Sequence, residues 1–428
     1  MVEWLQQLTP PADISGPTLT AYILLDVFLI IVLARFLGGA MVQVGQPRVV
    51  GEILAGILLG PTLLGPELSQ VVAPQAARPV LSAIATIGLI LFMFLAGVEF
   101  DAGRVKGRAR QAGVLALLSV AAPALLGFPV ARAMHSPLYT GPAGESLLPF
   151  ALLIGAALSV TAFPVMAHIL MERGELNTAM GALAVATAGI MSVLMFTYIA
   201  FAGAVAAANG FGSLLLNVAL MVLFGLGSWF IVRPLIGRLL QGTIQGNISG
   251  NGMAIVFGGM VLYGLIADRI GINALVGGFV WGLILPDDTV LRRAIAAKIA
   301  DVALIFFLPV FFATAGFFTD LKLITLETLP VVGLVLLAAV VGKFMVILPA
   351  RSFGLSWREG GVLGALFNTR GLLVIVVGLI GLQLGIITNL TFTITVVVAL
   401  VTNLMTLPLL NLLARPQPQV SPALSEEL

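Results

Sequence analysis

Long apolar runs alternate with short breaks rich in Gly, Pro, Arg and Lys along this chain. An α-helix needs ~20 apolar residues to cross the hydrocarbon core of a bilayer. Read at that length, the pattern predicts thirteen spans, within 19–40, 50–65, 80–99, 111–134, 148–170, 178–208, 212–236, 250–267, 270–286, 301–318, 328–350, 358–384 and 389–413. Only Asp268 and Arg269 divide the eighth span from the ninth.

Composition agrees with the pattern. Of 428 residues, 60% are hydrophobic and 9% charged, and the mean hydropathy is +1.13. A soluble domain carries roughly 25% charged residues, so this chain cannot cover a water-facing surface. The basic residues then order the spans. Loops after odd-numbered spans hold fourteen of the 21 lysines and arginines, loops after even-numbered spans hold four, and Arg35, Lys343 and Arg370 lie inside spans. By the positive-inside rule the N-terminus is expected outside and the C-terminus in the cytoplasm, as for a multi-pass protein of a plasma (inner) membrane.

Other counts exclude chemistry. The chain has no Cys, which removes disulfides, thiol catalysis and iron–sulfur clusters. Two histidines, His135 and His168, argue against a histidine-rich metal site. The net charge of +2, without a long basic run, argues against a nucleic-acid partner. No cofactor site is expected, and no cleavable signal peptide is expected from the N-terminal MVEWLQQLTPPADISGP.

Two stretches repeat. VGEILAGILLGP (50–61) on the second span matches VGGFVWGLILP (276–286) on the ninth, and FLAGVEFD (94–101) on the third matches FATAGFFTD (312–320) on the tenth. An offset of seven spans reverses orientation in the membrane, the signature of inverted-repeat transporters, which bind cargo near the midplane at broken helices. The fifth span offers such a break in Ser159-Val-Thr-Ala-Phe-Pro164. Pro164 removes a donor, and Ser159 and Thr161 can serve freed backbone groups. Seven spans later, Asn368, Thr369, Arg370 and Gly371 interrupt the twelfth.

These motifs resemble the monovalent cation:proton antiporter family (CPA2 type, the Kef, CHX and NhaA-like group). The resemblance is carried by GQPRVVGEILAGILLGPTLLG from Gly45, FLAGVEFD from Phe94, ALSVTAFPVMAHIL from Ala157, GINALVGGFVWGLILP from Gly271, LPVFFATAGFFTDL from Leu308 and GLSWREGGVLGALFNTRGLL from Gly354. It implies an all-α polytopic fold with about thirteen transmembrane helices, inverted repeats and two crossed discontinuous helices. It also implies a homodimer in the lipid bilayer that moves protons and monovalent cations. The expected organisation is an extracytoplasmic segment (1–18), a first repeat (19–208), a linker span and loop (209–249), a second repeat (250–413) and a cytoplasmic tail (414–428), without a cytoplasmic nucleotide-binding domain.

The family resemblance further implies an acidic pair on the sixth span. The matching stretch here is Gly189-Ile-Met-Ser-Val-Leu-Met-Phe196, with Met191 and Ser192 at the pair's positions, and Val374 stands where close relatives carry a Glu. Alternating antiport needs a group that holds either a proton or a cation, and a buried carboxylate does this. A serine hydroxyl does not ionise at working pH, and a thioether is a poor ligand for a hard ion.

The intramembrane cations remain. Lys343 and Arg370 are functional-site candidates by position, and the bland reading has each serving carbonyls freed at the helix breaks. Asp26, in the first span, and Glu52, at the start of the second, are the possible titrating acids. Asp26 is expected to pair with Arg35 or line a dimer surface, and Glu52 to be structural. Glu99, Asp101, Asp301 and Asp320 read as caps near span ends, and His168 as structural.

Three functions stay open on the residues. The first is a transporter of this family with atypical or lost Na+/K+ exchange. The second is the same scaffold binding or moving a small organic or anionic substrate through Ser159, Thr161, Met191, Ser192, Lys343, Asn368, Thr369 and Arg370. The third is a non-transporting membrane enzyme, sensor or scaffold. No Ser-His-Asp set or phosphate loop supports an enzyme.

Overall fold

The computed structural model describes residues 16–413 except 45, 47, 73, 75, 100–108, 174, 176–177, 207–210, 241–247, 271–273 and 318. Asp101 lies outside these, and the side chains of Glu99 and His168 are likewise not described.

The apolar runs fold as helices in chain order: α1 (Gly16–Gln43), α2 (Arg48–Leu59), α3 (Pro61–Val72), α4 (Arg78–Glu99), α5 (Ala109–Met134), α6 (Leu147–Ser159), α7 (Phe163–Glu172), α8 (Ala179–Ala206), α9 (Phe211–Gly227), α10 (Arg233–Leu240), α11 (Gly250–Arg269), α12 (Ala274–Leu283), α13 (Thr289–Val302), α14 (Leu308–Phe317), α15 (Leu329–Phe344), α16 (Ile347–Ser352), α17 (Trp357–Phe367), α18 (Leu372–Gln383) and α19 (Asn389–Leu413). Five-residue π turns join α9 to α10 and α13 to α14. Among the described residues the one strand-type pairing is an isolated bridge between Thr140 and Ile387. With no water in the hydrocarbon core, helices satisfy every backbone group within the segment.

Nine helices among the described residues are long and apolar enough to cross a membrane, where thirteen spans are expected. The other apolar helices run over Val50–Leu59, Leu147–Ser159, Ala274–Leu283 and Leu373–Gln383. Two of these are short because the fifth and twelfth segments are each broken in mid-course, α6 from α7 and α17 from α18.

Helix ends carry the caps their sequences offer. Ser249 accepts from Gly252 N at the start of α11, Asp288 accepts from Val290 N and Leu291 N at the start of α13, and Ser356 and Glu359 form a reciprocal capping box on α17. Asp320 accepts from Lys322 N. The Arg292 guanidinium gathers the carbonyls of Leu283, Leu285 and Pro286 beyond the end of α12.

The repeated motifs pack reciprocally. A Cβ on Gly56 would lie 2.6 Å from Ala313 Cα, and one on Gly316 would meet the Gly56 backbone, so α2 and α14 cross backbone to backbone. The matching residues do the same on the other pair. A Cβ on Gly282 would run into Phe94 O, and one on Gly97 into Phe279 O, at the crossing of α12 and α4. Gly51 abuts Leu37 and Gly38 of α1, and Gly277 abuts Tyr263 of α11. These two crossings thus recur between counterpart motifs of the two halves. Without a hydrophobic drive between helices in lipid, close packing at small residues supplies much of their association.

The broken helices belong to a second group. α6 packs on α5, α8, α15 and α18, and α17 packs on α15, α16, α19 and α8. The main hydrophobic core runs through this group, and a smaller one gathers α4, α11, α12 and α13 around Phe94 and Trp281.

Candidate functional site: the crossing of two broken helices

The two breaks face each other. α6 ends at Ser159, residues 160–162 leave the helix, and α7 begins at Phe163; α17 ends at Phe367, residues 368–371 leave the helix, and α18 begins at Leu372. The Ala162 amide donates to Thr369 O at 2.8 Å, and the Thr161 hydroxyl donates to Phe367 O at 2.7 Å. One backbone bond and one side-chain bond therefore tie the breaks together.

A helix end leaves four carbonyls without intrahelical partners, and in a buried end each must be met. At α6 the last intrahelical bond runs from Val160 N to Ala156 O at 3.2 Å, and the three carbonyls after it are met by side chains. Ala157 O accepts from Arg370 Nη1 at 2.5 Å, and Leu158 O from Arg370 Nη2 at 2.6 Å. Ser159 O accepts from Lys343 Nζ. Lys343 and Arg370 thus both end on the negative pole of one half-helix dipole. Each is 0% exposed.

Lys343 uses its full donor set. Besides Ser159 O it donates to Ser119 O at 3.2 Å and to Thr161 Oγ1 at 2.9 Å. The Thr161 proton is spent on Phe367 O, so Nζ faces three acceptors, which calls for the three N–H of an ammonium. The Ser119 carbonyl is available because Pro123, four residues on, has no N–H to bond it. Gly342 seats α15 against that same proline, 2.7 Å from its Cβ to a Cβ built on the glycine. Arg370 Nη2 also reaches Ala339 O at 3.1 Å, one turn before Lys343.

The remaining sequence candidates take distinct places. The Ser159 hydroxyl, with one proton to give, lies within bonding distance of Gly155 O at 2.7 Å and Val120 O at 2.9 Å, and that of Thr369 donates to Leu366 O at 2.8 Å. Met191 is buried on α8, while Ser192 is half-buried and turned back onto Ala188 O of its own helix. Val374 is buried in the first turn of α18. Asn368 is fully buried with neither amide atom bonded.

Asp26 and Glu52 lie on α1 and α2, whose packing partners include each other and α14. Both are buried, and the geometry corrects one expectation. Neither Asp26 carboxylate oxygen has a hydrogen-bond partner, so the pairing with Arg35 is not formed, and at 1% exposure Asp26 does not lie on the open surface of the chain. Arg35 is exposed on α1, turned away from the stripe that buries Asp26, Ile30 and Ala34.

The sequence reading passed over three contributors. Asn403 of α19 accepts from Arg370 N at 3.0 Å while its own Nδ2 is unbonded. Pro123 frees the carbonyl that Lys343 takes. Thr187, one turn before Met191, is buried with its hydroxyl unbonded. An Asn in an apolar span and a Pro inside the fourth were the available signals. An apolar crevice between α6, α8 and α18, lined by Leu153, Ala156, Ile199, Val377 and Ile380, reaches the residue next to Ala157. Among the described residues no cluster of three metal-ligating side chains occurs.

Comparison with known proteins places this geometry. The sodium/hydrogen exchanger transmembrane family matches residues 23–412. The chain is 36% identical over 403 residues to the Na(+)/H(+) antiporter NhaS4 of Synechocystis sp., covering 90% of this chain and 96% of that protein. It is 32% identical over 412 residues to cation/H(+) antiporter 20 of Arabidopsis thaliana, and 29% identical over 417 residues to K(+)/H(+) antiporter 1 of Saccharomyces cerevisiae. Those matches cover 91% and 93% of this chain but 48% and 47% of the relatives, so the chain spans about half the length of the plant and yeast proteins. The solved sodium proton antiporter MjNhaP1 of Methanocaldococcus jannaschii superposes with a TM-score of 0.67 at 16% identity, over 92% of this chain and 96% of that one, a likeness of fold. With its crossed broken helices and a family match over nearly its whole length, the chain belongs to the sodium/hydrogen exchanger family of cation/proton antiporters.

Proposed function

We propose that the protein exchanges a monovalent cation for protons across a membrane by an atypical ion site at the crossing. The observation that carries this reading is the crossing itself, closed by the Ala162–Thr369 and Thr161–Phe367 bonds, in a chain 36% identical to a Na(+)/H(+) antiporter. The site is atypical because Met191, Ser192 and Val374 offer no carboxylate, and the two basic residues buried at the crossing are Lys343 and Arg370. We further propose thirteen crossings in two inverted repeats (19–208 and 250–413), an outside N-terminus and a cytoplasmic C-terminus in a plasma (inner) membrane, and a homodimer in the bilayer. The recurrent glycine crossings and the charge asymmetry of the loops support this arrangement.

The test is a proteoliposome assay. A pH gradient is imposed and its dissipation followed on adding sodium, potassium or lithium, beside a variant carrying Met191→Asn, Ser192→Asp and Val374→Glu. The expected result is weak exchange by the unaltered protein and at least tenfold faster exchange by the variant. Rapid exchange by the unaltered protein, unchanged in the variant, would sink the assignment of an atypical site. Silence in both would overturn exchange as the function.

A further inference from the structure

We propose that the crossing binds a small monovalent anion, held by Arg370 Nε and the side-chain amides of Asn368 and Asn403. The inference deepens the reading of the crossing as the transport site. Its first support is a set of unmet donors. Arg370 Nε, Asn368 Nδ2 and Asn403 Nδ2 are buried without a partner, as is Asn368 Oδ1, while the carbonyls of Ala157, Leu158 and Ser159 beside them are each met. Buried N–H groups are seldom left unbonded. The three belong to one place. Asn368 and Arg370 lie within the same four-residue break, and Asn403 is fixed there because its Oδ1 accepts from Arg370 N at 3.0 Å. That bond occupies the acceptor of the Asn403 amide and leaves its donor without a partner.

Charge is the second support. Lys343 and Arg370 are both fully buried. The C-terminal pole of α6 offsets about half an elementary charge. The remainder needs a counter-charge in a medium that penalises an uncompensated ion. No acid stands in the middle of the fifth, sixth, twelfth or thirteenth span. Asp26 and Glu52 sit on α1 and α2, packed with α14 rather than within the break. An anion accepting from three N–H groups meets both demands at once, and it returns to the crossing the negative charge that Met191, Ser192 and Val374 leave out. Chloride and a small carboxylate share this chemistry.

The test reads binding without transport, so it is independent of whether exchange is detected. Thermal unfolding of the purified protein is followed while sodium or potassium salts of chloride or acetate replace the salt of a bulky sulfonate buffer at equal ionic strength. The expected result is a saturable rise in Tm of about 3 °C or more that follows the anion and is the same for both cations. A rise with chloride alone assigns a spherical anion, and one with acetate alone a carboxylate. Asn403→Ala should weaken the apparent affinity at least tenfold, and Val374→Glu, which supplies a carboxylate from within the chain, should abolish the response. No saturable rise, a rise that follows the cation, or a response unchanged in both variants would overturn the proposal.

Discussion

Arg370 and Lys343 donate to consecutive carbonyls of one half-helix, Arg370 Nη2 to Leu158 O at 2.6 Å and Lys343 Nζ to Ser159 O. Two residues from different spans thus close the same helix end. The broken helix holds its shape in the membrane because these cations stand where the next turn's N–H groups would have been.

Removing either cation should therefore act first on stability. Lys343→Met leaves Ser119 O and Ser159 O unmet, and an unsatisfied buried acceptor costs about 1–3 kcal/mol. Arg370→Lys keeps the charge but cannot bridge Ala157 O and Leu158 O with one planar fork, and a loss of about 2–4 kcal/mol is expected. Thermal unfolding in detergent checks both. A Tm within 1 °C of the unaltered protein in either variant would contradict the capping role.

The Thr161 hydroxyl, in the first break, accepts from Lys343 and donates to Phe367 O at the second. Thr161→Val has nearly the same shape and can do neither, so it should cost about 1–3 kcal/mol and slow any transport severalfold. Thr161→Ser should restore most of both. Equal behaviour of the Val and Ser variants, in unfolding and in flux, would show that the hydroxyl is dispensable.

The reciprocal glycine crossings predict matched penalties. A methyl on Gly56 meets the backbone of Phe312 and Ala313, and one on Gly282 meets the backbone of Phe94 and Val98. Backbone cannot turn aside as a side chain can, so Gly56→Ala and Gly282→Ala should each cost about 1–3 kcal/mol. Gly258→Ala, where no atom lies within reach of the new methyl, serves as the control. If either motif variant unfolds at the control's temperature, the helices at that crossing are not in backbone contact.

Asp26 is buried with both carboxylate oxygens unbonded. An unpaired buried charge is unfavourable, so Asp26→Asn should leave Tm unchanged or raise it. A fall equivalent to more than ~1 kcal/mol would mean that the carboxylate has a partner in the folded protein. The same variant in the proteoliposome assay reports whether this acid takes part in exchange.

Much of the architecture was readable one segment at a time. Apolar runs marked the helices, and Pro164 and Gly371 marked the two breaks, because a missing N–H and a missing Cβ act within a turn of where they stand. The glycines of VGEILAGILLGP and VGGFVWGLILP announced close packing, though the sequence alone could not say that Gly56 would meet Gly316 and Gly282 would meet Gly97. The difference in span count has the same origin. Among the described residues four apolar helices are shorter than a full crossing, and two of them, Leu147–Ser159 and Leu373–Gln383, are short because the backbone leaves the helix at the predicted breaks.

What the sequence determined is an inventory: an all-helical membrane chain, two breaks, two intramembrane cations, and no carboxylate in mid-span beside them. Tertiary structure decided how that inventory is spent. Lys343 reaches Ser159 across 184 positions and Ser119 across 224, and Arg370 meets Asn403 across 33. Helical periodicity reports only which face a residue occupies, and a hydrogen bond between spans depends on which faces pack together and at what depth. The proline at 123, the glycine at 342 and the lysine beside it acquire a common purpose only when α5 and α15 are laid side by side.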